Sequence, residues 1–228
     1  MLSINRLGNL GRLANQMFQY ASIKGISSNR GYSFSIPPKD AFGAQDELVS
    51  QSDVTIYDVF EKVGNNIIGF QKNQTLWERM HHFDEELFVN CPDNVDLVGY
   101  FQTEKYFKHI EDEIREDFTF SKEITEMCKE LYNKVVDGES ISLHIRRGDY
   151  TVNPNHPTQT VEYYDKALSN FDSKIPVFVF SDDPSWCHEQ KLFSDDRFIG
   201  IIRSSTTFAT FQKTLAEFVF SHLQRKHC

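Results

Sequence analysis

The sequence predicts an α/β fold with parallel sheets, and three observations predict it. Residues 140–193 read strand, charged loop, helix, strand, charged loop, helix. Within them "IPVFVF", Ile175 to Phe180, is a near-continuous apolar run of the kind a parallel strand buried on both faces shows. At the other end of the chain a glycine-containing loop, a helix, a turn and a strand follow one another from Gly8 to Ile36. Consecutive strand–helix units imply right-handed crossovers, and ligands of such sheets lie just beyond the carboxyl ends of the strands.

The elements follow in order. Leu13, Met17, Phe18 and Ala21 recur at helical spacing after the glycine loop, with a helix start near Asn15 and a stop at Gly31 before the alternating "YSFSI". From about Pro37 to Pro92 polar and aromatic residues mix with little period, which reads as irregular structure with short elements. Phe107, Ile110, Ile114 and Phe118 mark one face of a helix from Glu104, and Ile124, Cys128, Leu131 and Val135 mark a second helix ended by Gly138. "SISLHI" alternates as a strand that breaks at "RRGDY", and Thr160 can cap a helix carrying Tyr164 and Leu168. Two domains are expected, residues 1–137 with the glycine loop and residues 138–228.

Composition narrows the function. The 33 acidic against 24 basic residues leave a net charge of −9, and the bases are scattered, so nucleic acid is not an expected partner. The four cysteines lie far apart without a C-x-x-C pair, which fits a reducing compartment. Glycines and arginines interrupt "MLSINRLGNLGRL" where a secretory signal has an apolar core, and no apolar run is long enough to span a bilayer. The expected location is cytoplasmic, with peripheral membrane association still compatible. His81 and His82 have no third ligand at metal spacing and there is no D-x-D triplet, so no metal is expected.

The charged loops hold the candidate residues. Arg146 follows His144 by two positions and shares its side of the strand. A guanidinium at a strand end can grip a phosphate bidentately, or can close its own loop by pairing with Asp149. Asp183 before Pro184 reads as a helix cap, which leaves Asp182 as the freer carboxylate for a nucleobase amide or a ribose hydroxyl. Gly8 and Gly11 let backbone approach a ligand, and the helix after them aims its positive end there; alternatively Asn15 simply caps that helix.

Taken together, "GRLANQMFQYAS" (Gly11 to Ser22), "GYFQTEKYF" (Gly99 to Phe107), "HIRRGDY" (His144 to Tyr150), "EYYDKAL" (Glu162 to Leu168) and "VFSDDPSW" (Val179 to Trp186) resemble the α-1,2-fucosyltransferases of glycosyltransferase family 11. The resemblance covers most of residues 1–190. It implies a GT-B-like fold, two Rossmann-like domains with the donor in the cleft, and metal-independent, inverting transfer of L-fucose from GDP-β-L-fucose to the 2-hydroxyl of a galactoside. By residue it implies that Arg146 holds the β-phosphate of GDP and that His144 and Asp149 shape that pocket. It further implies that Asp182 recognises the nucleoside and that Gly11, Arg12 and Asn15 line the donor near the scissile bond. No cofactor beyond the GDP-fucose donor is implied, and the acceptor is a galactose-containing oligosaccharide.

Two features depart from the family pattern. Ala14 stands where glycine usually precedes Asn-Gln, and the family's serine-rich "N-S-S-F-S-W-W-G" segment has no clear counterpart after "SDD". The C-terminal domain is therefore expected to be incomplete, with Phe208 to Leu223 forming an amphipathic helix over an open sheet edge. A catalytically impaired GDP-sugar-binding or partner-binding relative is the alternative to an active transferase.

Overall fold

The computed structural model describes residues 1–41, 54–63, 67–135 and 138–202. They form two compact units, one from Met1 to Lys122 and one beginning at Glu123.

In the first unit, strands β1 (Leu2–Ser3), β2 (Phe34–Ile36), β3 (Ile67–Ile68), β4 (Gln74–Trp77) and β5 (Val95–Val98) form one sheet in the order β3-β2-β1-β5-β4. Every pairing in it is parallel. Central β5 is buried along its whole length, and its Asp96 is satisfied by the Ser3 hydroxyl at 3.0 Å and the Asn5 amide at 2.8 Å. The stretch read as irregular contains β3, β4 and the short helices α2 (Ile56–Val59) and α3 (Glu85–Asn90). Its strands escaped notice because "QTLW" and "II" lie at the sheet edges, largely exposed, and carry no alternation.

Helix α1 (Leu13–Arg30) starts two residues before Asn15, with Arg12 at the cap position, and ends at Gly31 in the left-handed conformation. The Gly31 amide donates to the Ser27 and Ser28 carbonyls, the stop expected from "NRG". Leu13 and Ala21 are buried as expected, but the rest of its buried face differs from the one expected. Gln16, Gln19, Tyr20, Ile23 and Ile26 are buried, whereas Met17 and Phe18 are half-buried. The polar residues turn inward because loops offer them partners: Gln16 accepts from the Ile56 amide at 3.0 Å and donates to the Val54 carbonyl at 3.2 Å, and Gln19 donates to the Leu10 carbonyl at 2.8 Å. Gly25 lies mid-helix because the Tyr106 carbonyl passes so close that a Cβ there would sit 2.0 Å from it. The face Ile110, Ile114 and Phe118 is buried as expected, although the segment begins as 3-10 turns and becomes α4 only at Glu111–Asp117.

The second unit opens with α5 (Lys122–Val135), which begins at the boundary, and continues as β6 (Ile141–Ile145), α6 (Val161–Leu168), β7 (Val177–Ser181), α7 (Pro184–Glu189) and β8 (Phe198–Ile202). The sheet runs β6-β7-β8, all parallel. Ile141, Leu143 and Ile145 face a core with Tyr164, Leu168, Val177, Val179, Cys187 and Phe193. The caps are those expected: Thr160 accepts from the Tyr163 amide at 3.4 Å, and Asp183 from the Trp186 amide at 3.1 Å. Strand β8 corrects the expectation that the sheet stops after two strand–helix units, because it pairs along β7. The helix expected at Phe208 to Leu223 lies outside the described residues.

Candidate active site

Each unit carries one cluster of the candidate residues. In the second unit, β6 ends at Ile145 and delivers "RRGDY" to the carboxyl edge of the sheet, next to the "SDD" turn after β7. The two arginines diverge. Arg147 turns inward: its Nε donates to Asp183 at 3.2 Å and its guanidinium lies 4.1 Å from the centre of the Trp186 ring. Arg146 stays at the surface, its fork closed on Asp149 by contacts of 3.0 to 3.2 Å and stacked 4.4 Å from the Tyr150 ring centre. Partial burial, the largest influence, lowers the Arg146 pKa, but bonding to Asp149 outweighs it and holds the group above the ordinary arginine range. The fork is thus charged, shaped for two oxygens, and filled here by a carboxylate of its own loop.

Asp182 has a duty the sequence did not disclose. Its Oδ1 accepts from the Arg147 amide at 2.8 Å, and its Oδ2 lies so near Gly148 that a Cβ there would stand 2.8 Å away. The carboxylate therefore braces the turn that presents Arg146, and a glycine at 148 is what lets it approach. Asp182 is not spare in the sense expected, whereas Asp183 is the cap expected. His144 points from β6 to the same edge; crowding by protein lowers its pKa, Asp182 opposes that shift and Arg146 adds to it. A neutral imidazole near pH 7 results. Tyr150 also stacks on His156, with ring centres 5.0 Å apart and planes within 17°.

In the first unit, Gly8 and Gly11 both have positive φ, +91° and +82°, which glycine adopts without strain. At Gly11 the constraint is doubled, since a Cβ would fall 1.9 Å from the Asn15 side-chain nitrogen. Asn15 is not the helix cap, because it lies inside α1. Its Oδ1 accepts from Gln102 Nε2 at 2.5 Å. Arg12 occupies the cap position with its side chain exposed. Ala14 has an ordinary helical setting within α1, so the alanine in place of the family's glycine fits without strain.

Gln102 and Glu78 were missed by sequence reasoning. Glu78 receives the amides of Tyr100 (2.7 Å) and Phe101 (3.1 and 3.2 Å), fixing the turn after β5 in which Phe101 has φ +51°. Nothing local in sequence links them, since Glu78 stands in the stretch without period and its partners are 22 and 23 residues away. Cys91, Cys128 and Cys187 are free thiols, and burial pushes the Cys91 thiol up to about 11, so it is unreactive. Among the described residues no helix is long and apolar enough to cross a membrane.

The chain is similar to several known glycosyltransferases. An α-1,2-colitosyltransferase of Escherichia coli is 28% identical over 221 residues, covering 86% of this chain and 75% of that protein. The O-antigen biosynthesis glycosyltransferase WbnK of Escherichia coli is 30% identical over 137 residues, 54% of this chain and 45% of that one. Galactoside α-(1,2)-fucosyltransferase 2 of Bos taurus is 28% identical over 204 residues, 83% of this chain and 55% of that one. The chain thus spans about half the length of the last two relatives. Among solved structures, the NodZ α-1,6-fucosyltransferase co-crystallised with GDP superposes with a TM-score of 0.57 at 13% identity, covering 94% of this chain and 82% of that one. At that identity the likeness establishes the GT-B-like fold of two Rossmann-like units. The profile of glycosyl transferase family 11 matches residues 3–213, nearly the whole chain, and the chain belongs to that family.

Proposed function

We propose that the chain transfers L-fucose from GDP-β-L-fucose, with inversion, to the 2-hydroxyl of a galactoside. The observation that carries the proposal is Arg146: a guanidinium braced by a neighbouring ring, at the carboxyl edge of a parallel sheet, whose two-oxygen grip is occupied by Asp149. A diphosphate presents the same pair of anionic oxygens, and Arg146 exchanges Asp149 for the β-phosphate when GDP binds. As the bond to fucose breaks, negative charge grows on the departing GDP, and a preoriented donor aimed at that charge lowers the barrier by about 2.7–4 kcal/mol. No metal is needed in this scheme, since a permanent guanidinium charge faces the leaving group. In this reading His144 and Asp149 shape the phosphate pocket, Asp182 recognises the nucleoside, and Gly11, Arg12 and Asn15 line the donor near the scissile bond.

The sugar is the finer part of the reading. Relatives named for fucose and for colitose match this chain with equal identity, so both nucleotide sugars belong in the test. The purified chain is titrated calorimetrically with GDP and GDP-fucose, then incubated with lactose and either GDP-fucose or the nucleotide donor of colitose. An α-1,2-linked fucosyl product supports the proposal; binding of GDP-fucose without product supports the impaired binding relative; product only with the colitose donor shifts the donor assignment.

A further inference from the structure

From the same reading of the reaction, we infer that Gln102 is a positioning residue for Asn15, held in place by Glu78. One side-chain contact joins the two residues, and the turn that carries Gln102 is held through its neighbours. The Gln102 side chain donates to Asn15 Oδ1, which commits the amide oxygen and fixes which way the amide nitrogen faces. That nitrogen lies over Gly11, at a spot where even a methyl group would collide. The turn carrying Gln102 is over-determined: Glu78 receives two successive amides, the Ser22 hydroxyl donates to the Phe101 carbonyl at 3.3 Å, and the Thr103 amide donates to the same carbonyl at 2.7 Å.

Phe101 adopts φ +51°, a region a phenylalanine rarely enters, and Gly99 is required because a Cβ would stand 2.4 Å from Glu78. The strained residue is anchored by its own burial, since Phe101 is 1% exposed with its ring against Tyr106, while Gln102 beside it is exposed. The result is an Asn15 amide presented as a donor of fixed direction, suited to an oxygen of the nucleotide sugar or of the acceptor. Asn15 cannot ionise; it orients and does not remove a proton.

The test uses the full chain and the variants Gln102→Ala and Gln102→Glu. Nitrogen-15 spectra of the unliganded protein, with the Asn15 side-chain signals assigned by their loss in Asn15→Ala, read the orientation directly. In Gln102→Ala those signals move to positions typical of a mobile amide, and melting of the protein is unchanged. Kinetics then follow with GDP-fucose and lactose. Gln102→Ala lowers kcat about tenfold or more with little change in the affinity for GDP, since misplacement of an orienting group falls on the reacting geometry. Gln102→Glu preserves size but can only accept, so it reverses the Asn15 amide and loses a similar factor. Adding Gln102→Ala to Asn15→Ala causes no further loss. Asn15 signals that do not respond to Gln102→Ala overturn the inference, as does a Gln102→Glu variant with wild-type kcat, which would mark a space-filling role. A chain that transfers neither sugar refutes the assigned reaction, while the spectra still decide the Gln102–Asn15 contact.

Discussion

Arg146 and Arg147 stand side by side after β6 and face opposite ways: the first is stacked on Tyr150 at the sheet edge, the second is folded between Asp183 and Trp186. Both lie past the end of β6, and each finds its own aromatic plate. Arg146 closes on Asp149 within its own loop, and Arg147 fastens "RRGDY" to the start of α7.

The same division operates at Asn15 and Gln16. Gln16 is fully buried and makes two bonds to the backbone of residues 54 and 56, whereas Asn15 is half-buried and bonded to a surface glutamine. Gln16→Ala is expected to cost about 1–3 kcal/mol by leaving buried backbone groups unsatisfied. Asn15→Ala should cost well under 1 kcal/mol of stability and act on transfer instead. Urea melts of both variants, beside their kcat values, check the split; equal destabilisation contradicts it.

His144 makes the second unit sensitive to mild acid. Its pKa is lowered in the folded protein, so below the ordinary histidine value of about 6.5 the unfolded chain binds the proton more readily than the folded one. Its contribution to stability is complete above about pH 6.5 and declines as pH falls toward the lowered folded value. A bound diphosphate brings negative charge beside the ring and reverses the shift, so GDP binding near pH 6 is accompanied by proton uptake. Calorimetry in buffers of different ionisation enthalpy measures that uptake, and His144→Gln should abolish it.

Charge in the proposed donor site comes from Arg146, so EDTA should leave transfer within about twofold of its untreated rate, well short of the several kcal/mol a catalytic metal supplies. Strict dependence on manganese or magnesium in the same assay contradicts that assignment.

Legibility in the sequence followed the range of the interaction. "IPVFVF", the Thr160 and Asp183 caps and the Gly31 stop were readable because each is set by residues within a turn or a strand. Gly11 was readable as a loop glycine, but its collision with Asn15 was not. The brace of Asp182 on Arg147 spans 35 residues, and the Glu78 clamp spans more than 20, so no periodicity records either. Gln16 and Gln19 were invisible as core residues, since a polar side chain becomes buriable only when a distant loop supplies its partners. The edge strands β3 and β4 lacked the apolar alternation that marks a half-buried strand.

Calorimetric titration of GDP into the intact chain, Arg146→Ala and Arg147→Ala is the most direct measurement of the central claim. Arg146→Ala should weaken binding at least tenfold, since hydrogen bonds to a charged group contribute about 1.5–3 kcal/mol, with melting nearly unchanged. Arg147→Ala should lower stability by about 1 kcal/mol through loss of its Trp186 and Asp183 contacts, and weaken GDP far less. Equal loss of affinity in the two variants, or unaltered GDP binding by Arg146→Ala, would contradict the assignment of Arg146 to the donor phosphate.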